Sequence, residues 1–387
     1  MTLIWRSSLG YDWWKLGGSP EKAKRKEMQM YDIPVVAKFK APLYVAWEIT
    51  HRCNANCMHC YSNSSSYANC DFDLSTKEGI EVIDQLADAG VLVLAFSGGE
   101  PLLRLDWREL VGHAINKGLN VNIGTNGSCV TEKIADEIKG VDIKSVTVSI
   151  DSNKADVHDN FRQLYGLHEK ALKAVKLLVE RKVRVVVGFT PTRLNWEDGK
   201  EVIDLAHVIG ADAVNLSEYV PAGRGGLDLA LKPEELHKVL LDWIDFREEY
   251  KGKMEIMWHD CRVGLLVPEG EKRNYVGCGA GRLVARICPD GTVTPCVFLS
   301  TPIGSFRKET FQNMWLTSSL LRQFREREKQ FDGNCKDCEY LQACGGCRAV
   351  AYAYSGGNPL AGDPHCWIKL VQPNNIENLV EGESLPI

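Results

Sequence analysis

The sequence predicts an α/β fold with a parallel sheet, followed by a smaller cysteine-rich domain. From Leu43 onward, apolar runs with strand character alternate six times with amphipathic stretches of helical period. After about residue 251 this alternation gives way to loops rich in cysteine. Six strand–helix units imply right-handed crossovers, which an incomplete barrel and a doubly wound sheet both satisfy. The pattern alone does not choose between these two architectures.

The helices and strands of the first region have recognisable ends. Ser75, with Glu78 three residues later, has the capping-box pattern of a helix start. Gly90, Gly118 and Gly210 stand where helices are expected to end. The predicted strands span residues 43–49, 91–96, 119–124, 145–150, 183–189 and 213–218. The predicted helices span residues 76–89, 107–117, 132–138, 168–181, 197–209 and 233–250.

The cysteine-rich region contains one predicted β-hairpin, residues 285–296, which turns at Pro289-Asp-Gly291. The change of pattern predicts a domain boundary near residue 251. Four segments result, in chain order an N-terminal arm, an α/β core, a cysteine-rich domain and a C-terminal tail. Their predicted bounds are 1–41, 42–250, 251–370 and 371–387.

The composition sets limits on location and partners. The 387-residue chain has a formal net charge of -5, which gives no general case for binding nucleic acid or an anionic membrane. No secretory leader and no membrane-spanning run is evident, so we expect a cytoplasmic protein. Disulfides are disfavoured in that compartment, so those of the 14 cysteines that cluster in the sequence indicate metal ligands.

Three cysteines follow the first predicted strand, at Cys53, Cys57 and Cys60. Both candidate architectures gather ligands at the carboxyl ends of their strands, which is where this loop lies. Three thiolates can bind three irons of a four-iron cluster and leave the fourth iron open to a substrate or cofactor. The alternative is a structural zinc site, which needs a fourth ligand that His51 or His59 would supply.

A second motif, Gly98-Gly-Glu-Pro101, follows the second predicted strand. Its paired glycines allow close backbone approach, and Glu100 offers a carboxylate to an amino group. Together with the three cysteines, this motif resembles the radical S-adenosylmethionine (SAM) superfamily. The resemblance implies a partial (β/α)6 TIM-like barrel in which SAM coordinates the open iron. It also implies an enzyme in which a low-potential donor, such as ferredoxin or flavodoxin, drives cleavage of SAM to a 5'-deoxyadenosyl radical.

The same resemblance implies SAM contacts at the ends of successive strands. The candidate residues are Tyr61, Ser97, Gly98, Gly99, Glu100, Pro101, Thr125, Asn126, Ser149, Asp151, Thr190 and Asn215. Ordinary hydrogen bonding at strand ends is the alternative role for the polar members of this set. Arg162 would either meet a carboxylate or be a solvated loop arginine.

Seven of the nine cysteines after residue 260 resemble those of the SPASM extension of radical SAM enzymes, a domain that holds auxiliary iron–sulfur clusters. By this resemblance an outer cluster would be held by Cys335, Cys338, Cys344 and Cys366, and an inner cluster by Cys278, Cys296 and Cys347.

The inner ligand set departs from the common pattern. Two residues separate Cys344 from Cys347, where the SPASM pattern usually has three. The fourth inner ligand would be Cys261 or Cys288, or the position would be open. A zinc ribbon is the alternative for the group that begins at Cys335.

The stretch from Cys335 to Tyr354, continuing to Asp363-Pro-His-Cys366, is similar to radical SAM enzymes that trim tetrapyrrole side chains in the siroheme-dependent haem pathway. The similarity implies hydrogen abstraction from a propionate or related side chain, then loss of a carboxyl-derived fragment while an auxiliary cluster takes the surplus electron. Arg224 and Arg282 would bind substrate carboxylates, or would be ordinary surface arginines.

Two other functions are open at this point. A maturase that modifies a ribosomally made peptide or protein uses the same two-domain plan. A non-catalytic iron–sulfur electron carrier would need neither Gly98-Gly-Glu-Pro101 nor an open iron, so the motifs favour an enzyme.

Overall fold

The computed structural model describes residues 40–272 and 275–368. The predicted C-terminal tail, residues 371–387, lies outside the described residues. The predicted N-terminal arm, residues 1–41, also lies outside them except for its last two residues.

One ten-stranded sheet organises the described chain. Its strands are β1 (Tyr44–Glu48), β2 (Val93–Ser97), β3 (Asn120–Thr125), β4 (Ser145–Ser149), β5 (Val185–Phe189), β6 (Ala213–Leu216), β7 (Glu255–Trp258), β8 (Val284–Ile287), β9 (Thr292–Thr294) and β10 (Gly304–Ser305). The order across the sheet is β10-β9-β8-β1-β2-β3-β4-β5-β6-β7, and all pairs from β8 to β7 are parallel. A doubly wound sheet would reverse its strand order. The consecutive order of β1 to β7 therefore confirms the partial barrel.

Helices connect the successive strands from β1 to β8, and further helices follow β10. The described helices are α1 (Thr76–Ala89), α2 (Trp107–Asn116), α3 (Glu132–Gly140), α4 (Ala155–Arg162), α5 (Leu167–Glu180), α6 (Gly199–Val208), α7 (Pro233–Glu249), α8 (Glu269–Lys272), α9 (Phe311–Thr317), α10 (Ser319–Arg325), α11 (Arg327–Gln330) and α12 (Arg348–Tyr354). All six predicted strands and all six predicted helices are present. Within the described ranges, no helix has the length and apolar character needed to cross a bilayer.

The ends of α1 show how local sequence sets an element. The Ser75 hydroxyl accepts a hydrogen bond from the Glu78 backbone N–H, and the Glu78 carboxylate accepts one from the Ser75 backbone N–H. The helix ends at Gly90, which has a φ of 90°, a conformation that glycine adopts without steric cost. The predicted capping box and glycine stop are both confirmed.

Buried aromatic rings fix the strands that carry the loops of the site. Trp47 of β1 and Phe96 of β2 are fully buried, with ring centroids 5.7 Å apart. Phe189 of β5 stacks on Trp243 of α7, also with centroids 5.7 Å apart. Each such side chain contributes about 1.5–3 kcal/mol on burial, so the carboxyl ends of these strands have a rigid base.

The predicted hairpin is present and has a place in the sheet that the sequence did not indicate. β8 and β9 pair in antiparallel orientation, and their turn contains Gly291 with a φ of 85°. β8 also pairs in parallel with β1, where Val284 faces Tyr44. The hairpin therefore extends the barrel sheet and brings its flanking residues, Cys278 and Cys296, beside the barrel. β7 also belongs to the sheet, although it lies beyond the boundary predicted near residue 251.

Candidate active site and metal centres

One cavity of about 390 Å³ joins the two cysteine-rich parts of the chain. Its wall includes residues that follow β1 to β7 and residues on both sides of the hairpin. The cysteines that line it are Cys53, Cys57, Cys60, Cys261, Cys278, Cys296 and Cys347. The triplet after β1 and the set predicted for the inner cluster therefore face the same space.

The triplet loop is held by hydrogen bonds from three separate segments. The Cys53 N–H donates to the Ser65 carbonyl at 3.1 Å, and the Met58 N–H donates to the Phe161 carbonyl at 3.0 Å. Arg224 donates from Nε to the Cys57 carbonyl and from Nη2 to the Ser64 carbonyl, both at 3.0 Å. The guanidinium of Arg224 thus holds the loop in place, and Arg224 also lines the cavity, so contact with a substrate stays a prediction for it.

The donor set of this loop fits a metal cluster. Cys53 and Cys57 are buried and Cys60 is half-buried. Burial raises the pKa of the Cys53 thiol to about 12 and also raises the pKa of Cys57. Thiolates at these positions need a bound cation to offset their desolvation, and an iron cluster supplies it.

The Gly98-Gly-Glu-Pro101 motif lies directly against this loop. A Cβ on Gly98, whose φ is 136°, would lie 2.6 Å from the Thr50 carbonyl oxygen, and one on Gly99 would lie 2.2 Å from that of Arg52. The Gly99 N–H donates to the Thr50 carbonyl at 2.8 Å and the Glu100 N–H to the Arg52 carbonyl at 2.9 Å. Only glycine allows this approach, so the motif sets the position of the chain that leads into Cys53.

Glu100 has a different role from the one expected from the sequence. Its carboxylate is fully buried and is absent from the cavity wall. It accepts hydrogen bonds from the Thr125 hydroxyl at 2.7 Å, the Asn126 N–H at 2.8 Å and the Leu102 N–H at 3.3 Å. Burial raises its pKa to about 7. Glu100 therefore fixes the loop after β3, which corrects the expectation that it offers its carboxylate to a ligand.

The other predicted SAM contacts divide into two groups. The members that line the cavity are Tyr61, Ser97, Gly98, Gly99, Thr125, Asn126, Ser149 and Thr190. Pro101, Asp151 and Asn215 are not part of the cavity wall. Pro101 begins a short 3-10 helix, and the Asn215 amide donates to the Ser217 hydroxyl at 3.0 Å. Direct contact with SAM stays a prediction for the first group.

Arg162 and Asp151 form a buried ion pair beside the triplet. Arg162 Nε lies 2.6 Å from Asp151 Oδ2, and the other carboxylate oxygen accepts a hydrogen bond from the Thr190 N–H. Arg162 Nη1 lies 3.9 Å from the Cys57 sulfur. Although burial acts in the opposite direction, the guanidinium holds the pKa of Asp151 below its usual value. Arg162 is therefore a paired cation next to the cysteine loop, and not a solvated loop arginine.

Several residues of the cavity wall were not singled out as cofactor contacts from the sequence. His59 stacks on Phe161 with centroids 4.2 Å apart, and its buried Nδ1 has no hydrogen-bond partner within the described part of the chain. Burial lowers its pKa to about 3, so the ring is neutral. Its position between Cys57 and Cys60 is the sequence feature that could have indicated a place in the cavity wall. Ser217, Tyr219, His259 and Phe298 also line the cavity.

The inner set gains a fourth cysteine in the structure. Cys261, which follows β7, lines the same cavity as Cys278, Cys296 and Cys347, and its thiol interacts with the Cys278 and Cys344 sulfurs. The neighbouring Cys261 thiol and the nearby backbone N–H groups of Arg348 and Ala280 lower the pKa of Cys278. Cys288 lies elsewhere, near Arg286, and does not line the cavity. The structure therefore favours Cys261 over Cys288 as the fourth ligand.

The outer set converges around a second, smaller cavity. The cysteines in its wall are Cys335, Cys338, Cys344 and Cys366, the four assigned to the outer cluster. The Gly346 N–H donates to the Cys344 sulfur at 3.3 Å. Such N–H donors stabilise thiolate ligands, so the donor set fits an iron–sulfur centre.

Arg282 is less suited to a substrate than the sequence suggested. It is 4% exposed and is absent from the cavity wall. Its Nη1 donates to the Val276 carbonyl at 2.8 Å and to the Cys278 carbonyl at 3.4 Å. Arg282 therefore holds the loop that carries Cys278, and its position does not support binding of a substrate carboxylate.

Two family models match the chain. Residues 47–206 match the radical SAM superfamily, and residues 278–339 match SPASM, an iron–sulfur cluster-binding domain. The first match contains the triplet and the Gly98-Gly-Glu-Pro101 motif, and the second contains the hairpin.

Similar proteins agree with these matches. The chain is 30% identical over 345 residues to the AdoMet-dependent heme synthase of Methanosarcina barkeri, covering 86% of this chain and 98% of that protein. It is 33% identical over 342 residues to mycofactocin maturase MftC of Mycobacterium tuberculosis, covering 84% of this chain and 83% of that protein. The crystal structure of Streptococcus suis SuiB bound to S-adenosylmethionine has a similar fold, with a TM-score of 0.71 and 18% identity over 85% of this chain and 78% of that one.

Proposed function

Because this chain belongs to the radical SAM superfamily and carries its SPASM extension, we propose that it acts on a propionate-type side chain of a haem-type tetrapyrrole. It is an enzyme that uses a SAM-binding [4Fe-4S] cluster and auxiliary iron–sulfur clusters. One observation carries the proposal. The triplet and the four inner cysteines line the same cavity, so a substrate held there would meet both the radical source and an electron acceptor.

The ligand assignments follow from the positions of the cysteines. Cys53, Cys57 and Cys60 would hold the cluster that binds SAM, which supplies a 5'-deoxyadenosyl radical when it is reductively cleaved. The inner auxiliary centre would be held by Cys261, Cys278, Cys296 and Cys347, and the outer one by Cys335, Cys338, Cys344 and Cys366. Arg224 and Gly98-Gly-Glu-Pro101 would keep the triplet loop in register with the cavity.

The proposed reaction is an oxidative decarboxylation. A hydrogen atom passes from the side-chain carbon next to the macrocycle to the 5'-deoxyadenosyl radical. The remaining radical carboxylate loses carbon dioxide and one electron, which leaves a vinyl group. That electron needs an acceptor beside the substrate. The inner cysteines line the same cavity, so the auxiliary centre that they would hold is the proposed acceptor. Similarity to a heme synthase over nearly its full length supports the tetrapyrrole as substrate.

A second candidate is modification of a peptide. The arginines of the described cavity wall are Arg162 and Arg224, and protein groups bind both. The described wall thus offers little charge for substrate carboxylates, which favours a less charged substrate such as a peptide side chain. Similarity to mycofactocin maturase MftC supports the same candidate.

An isotope experiment separates the two candidates. Anaerobically reconstituted enzyme receives SAM, a strong reductant and an iron coproporphyrin that carries deuterium on the propionate carbon next to the macrocycle. We expect deuterium in 5'-deoxyadenosine and a product that has lost carbon dioxide. The control is the same tetrapyrrole with ethyl side chains, which cannot lose carbon dioxide. Deuterium transfer from a labelled peptide, with none from the tetrapyrrole, would establish the peptide reaction instead.

The setting of the reaction follows from its chemistry. Reductive cleavage of SAM needs a low-potential donor, and we propose a ferredoxin or flavodoxin in the cytoplasm. The net charge of -5 supports neither a nucleic-acid nor an anionic-membrane partner. A purified flavodoxin system that replaces the chemical reductant in the cleavage assay would test the donor.

A further inference from the structure

Arg348 contacts both sets of auxiliary cysteines. It follows Cys347 directly, at the start of α12, and its side chain is fully buried. Its guanidinium Nη2 donates to the Cys335 sulfur at 3.3 Å. Its backbone N–H also faces the Cys278 sulfur of the inner set. One residue therefore hydrogen-bonds a sulfur of the outer set through its side chain and has its backbone N–H near a sulfur of the inner set.

The charge of Arg348 has no carboxylate partner among the described residues. Its Nε donates to the Gly346 carbonyl at 3.2 Å, and its Nη1 donates to the carbonyls of Pro359 at 3.2 Å and Ala361 at 2.8 Å. The guanidinium also lies over the Phe331 ring, 4.2 Å from its centroid. A buried cation without a paired anion is unfavourable. The positive charge thus faces the place where a thiolate-bound cluster would supply the negative charge.

Arg262 is a second buried arginine in the same region, and it differs from Arg348 in how its charge is paired. It is fully buried, and it forms ion pairs with Glu218, Asp260 and Asp363. Its charge is therefore neutralised by protein groups. The charge of Arg348 is not, although both side chains lie beside the outer cysteines.

The backbone leaves room for the contact between Arg348 and Cys335. Gly346 has a φ of 59°, and a Cβ at this position would lie 2.5 Å from Nη2 and 2.8 Å from the Cys335 sulfur. A side chain here would separate the guanidinium from the sulfur. The two-residue spacing between Cys344 and Cys347, which departs from the common pattern, consists of glycines Gly345 and Gly346.

We propose that Arg348 sets the reduction potential of the outer auxiliary centre. A cation and an N–H donor at a ligand sulfur stabilise the reduced state, which carries one more negative charge, and so raise the potential. No bond or proton changes in this one-electron reduction. The inference rests on the proposed ligand assignment, and it does not depend on the identity of the substrate. Arg348 is a positioning residue that acts through Cys335.

The test is a redox titration of the whole chain with reconstituted clusters and no substrate, followed by electron paramagnetic resonance. Arg348→Met removes both charge and donor, Arg348→Lys keeps the charge, and Arg348→Gln keeps a donor. We expect Arg348→Met to lower one auxiliary potential by about 59 mV or more, which is a tenfold change in a one-electron equilibrium constant. The other two variants should give smaller shifts.

Arg325→Met is the matched control. This arginine lies over the Trp315 ring and donates to the Gly281 carbonyl at 3.1 Å, and its described contacts include no cysteine sulfur. Its removal should leave both auxiliary potentials unchanged.

The measured iron content distinguishes a failure of the Arg348 proposal from a failure of the ligand assignment. Unchanged potentials in an Arg348→Met protein with full iron content would overturn the proposal. Loss of the outer iron from all three variants would also overturn it, since Arg348 would then build the site rather than tune it. Wild-type protein that lacks about four of the expected irons would instead overturn the ligand assignment on which the proposal rests.

Discussion

Gly99→Ala should disrupt SAM binding through a single added methyl group. In the structure the new Cβ would lie 2.2 Å from the Arg52 carbonyl oxygen, 2.5 Å from its carbon and 2.9 Å from the Cβ of Cys53. Contacts under 3.0 Å do not persist, so the chain leading into Cys53 must retreat by roughly 0.8 Å. Such overpacking costs about 1–3 kcal/mol. If that energy is taken from SAM binding, the affinity should fall about 5- to 150-fold, since 1.4 kcal/mol is tenfold.

The assay is binding of SAM to anaerobically reconstituted protein, followed by the change in the electron paramagnetic resonance signal of the reduced cluster. Gly112→Ala is the matched control, because Gly112 lies within α2 and an added Cβ would meet nothing within 4 Å. Alanine at that site should stabilise the helix by about 0.5–1 kcal/mol and leave SAM binding unchanged. Wild-type SAM affinity in Gly99→Ala would refute the proposed role of the glycine pair.

Three further predictions test other parts of the site. Cys261→Ala should change the spectrum of one auxiliary centre while Cys288→Ala leaves spectrum and iron content unchanged; the reverse result would exclude Cys261 as the ligand. Burial raises the pKa of Glu100 from 4.5 to about 7, so ionisation opposes folding and the free energy of unfolding should fall as pH rises through that interval. Glu100→Gln should remove this part of the slope in anaerobic denaturation, and an unchanged slope would contradict the assignment. Arg224→Met deletes two hydrogen bonds worth about 1 kcal/mol each, and SAM affinity should fall roughly tenfold or more; unchanged affinity in equilibrium dialysis would mean that other contacts hold the loop.

The sequence predicted those features that depend on neighbouring residues. The capping box of Ser75, the hairpin turn at Gly291 and the spacing of Cys53, Cys57 and Cys60 are all local patterns. The parallel sheet followed from the alternation of strands and helices, and its consecutive order then identified the partial barrel.

Other features depend on contacts between distant parts of the chain. Cys261 and Cys288 were equivalent in sequence, and only the fold brings Cys261 to Cys278. The sequence placed Glu100 in the right loop but could not show that its side chain turns toward Thr125. Pairing of β8 with β1, which attaches the hairpin to the barrel, has no sequence pattern that would have revealed it.

Arginine roles were the least accessible to sequence reasoning. From the sequence, Arg224 and Arg282 would either bind substrate carboxylates, a task that arginine suits, or be ordinary surface arginines. In the structure both guanidinium groups donate to backbone carbonyls of cysteine-bearing loops. Residue type gave the chemistry that an arginine can perform, while the fold decided which acceptors lie within its reach.

The most direct test of the account compares the wild-type chain with a variant in which Cys53, Cys57 and Cys60 are all alanine. Both proteins are reconstituted anaerobically, analysed for iron and supplied with SAM and a strong reductant. The wild type should contain more iron than a single cluster of about four irons and should release 5'-deoxyadenosine. The variant should keep its auxiliary iron and should not cleave SAM. Cleavage by the variant, or none by fully loaded wild type, would contradict the assignment of this triplet as the radical-generating centre.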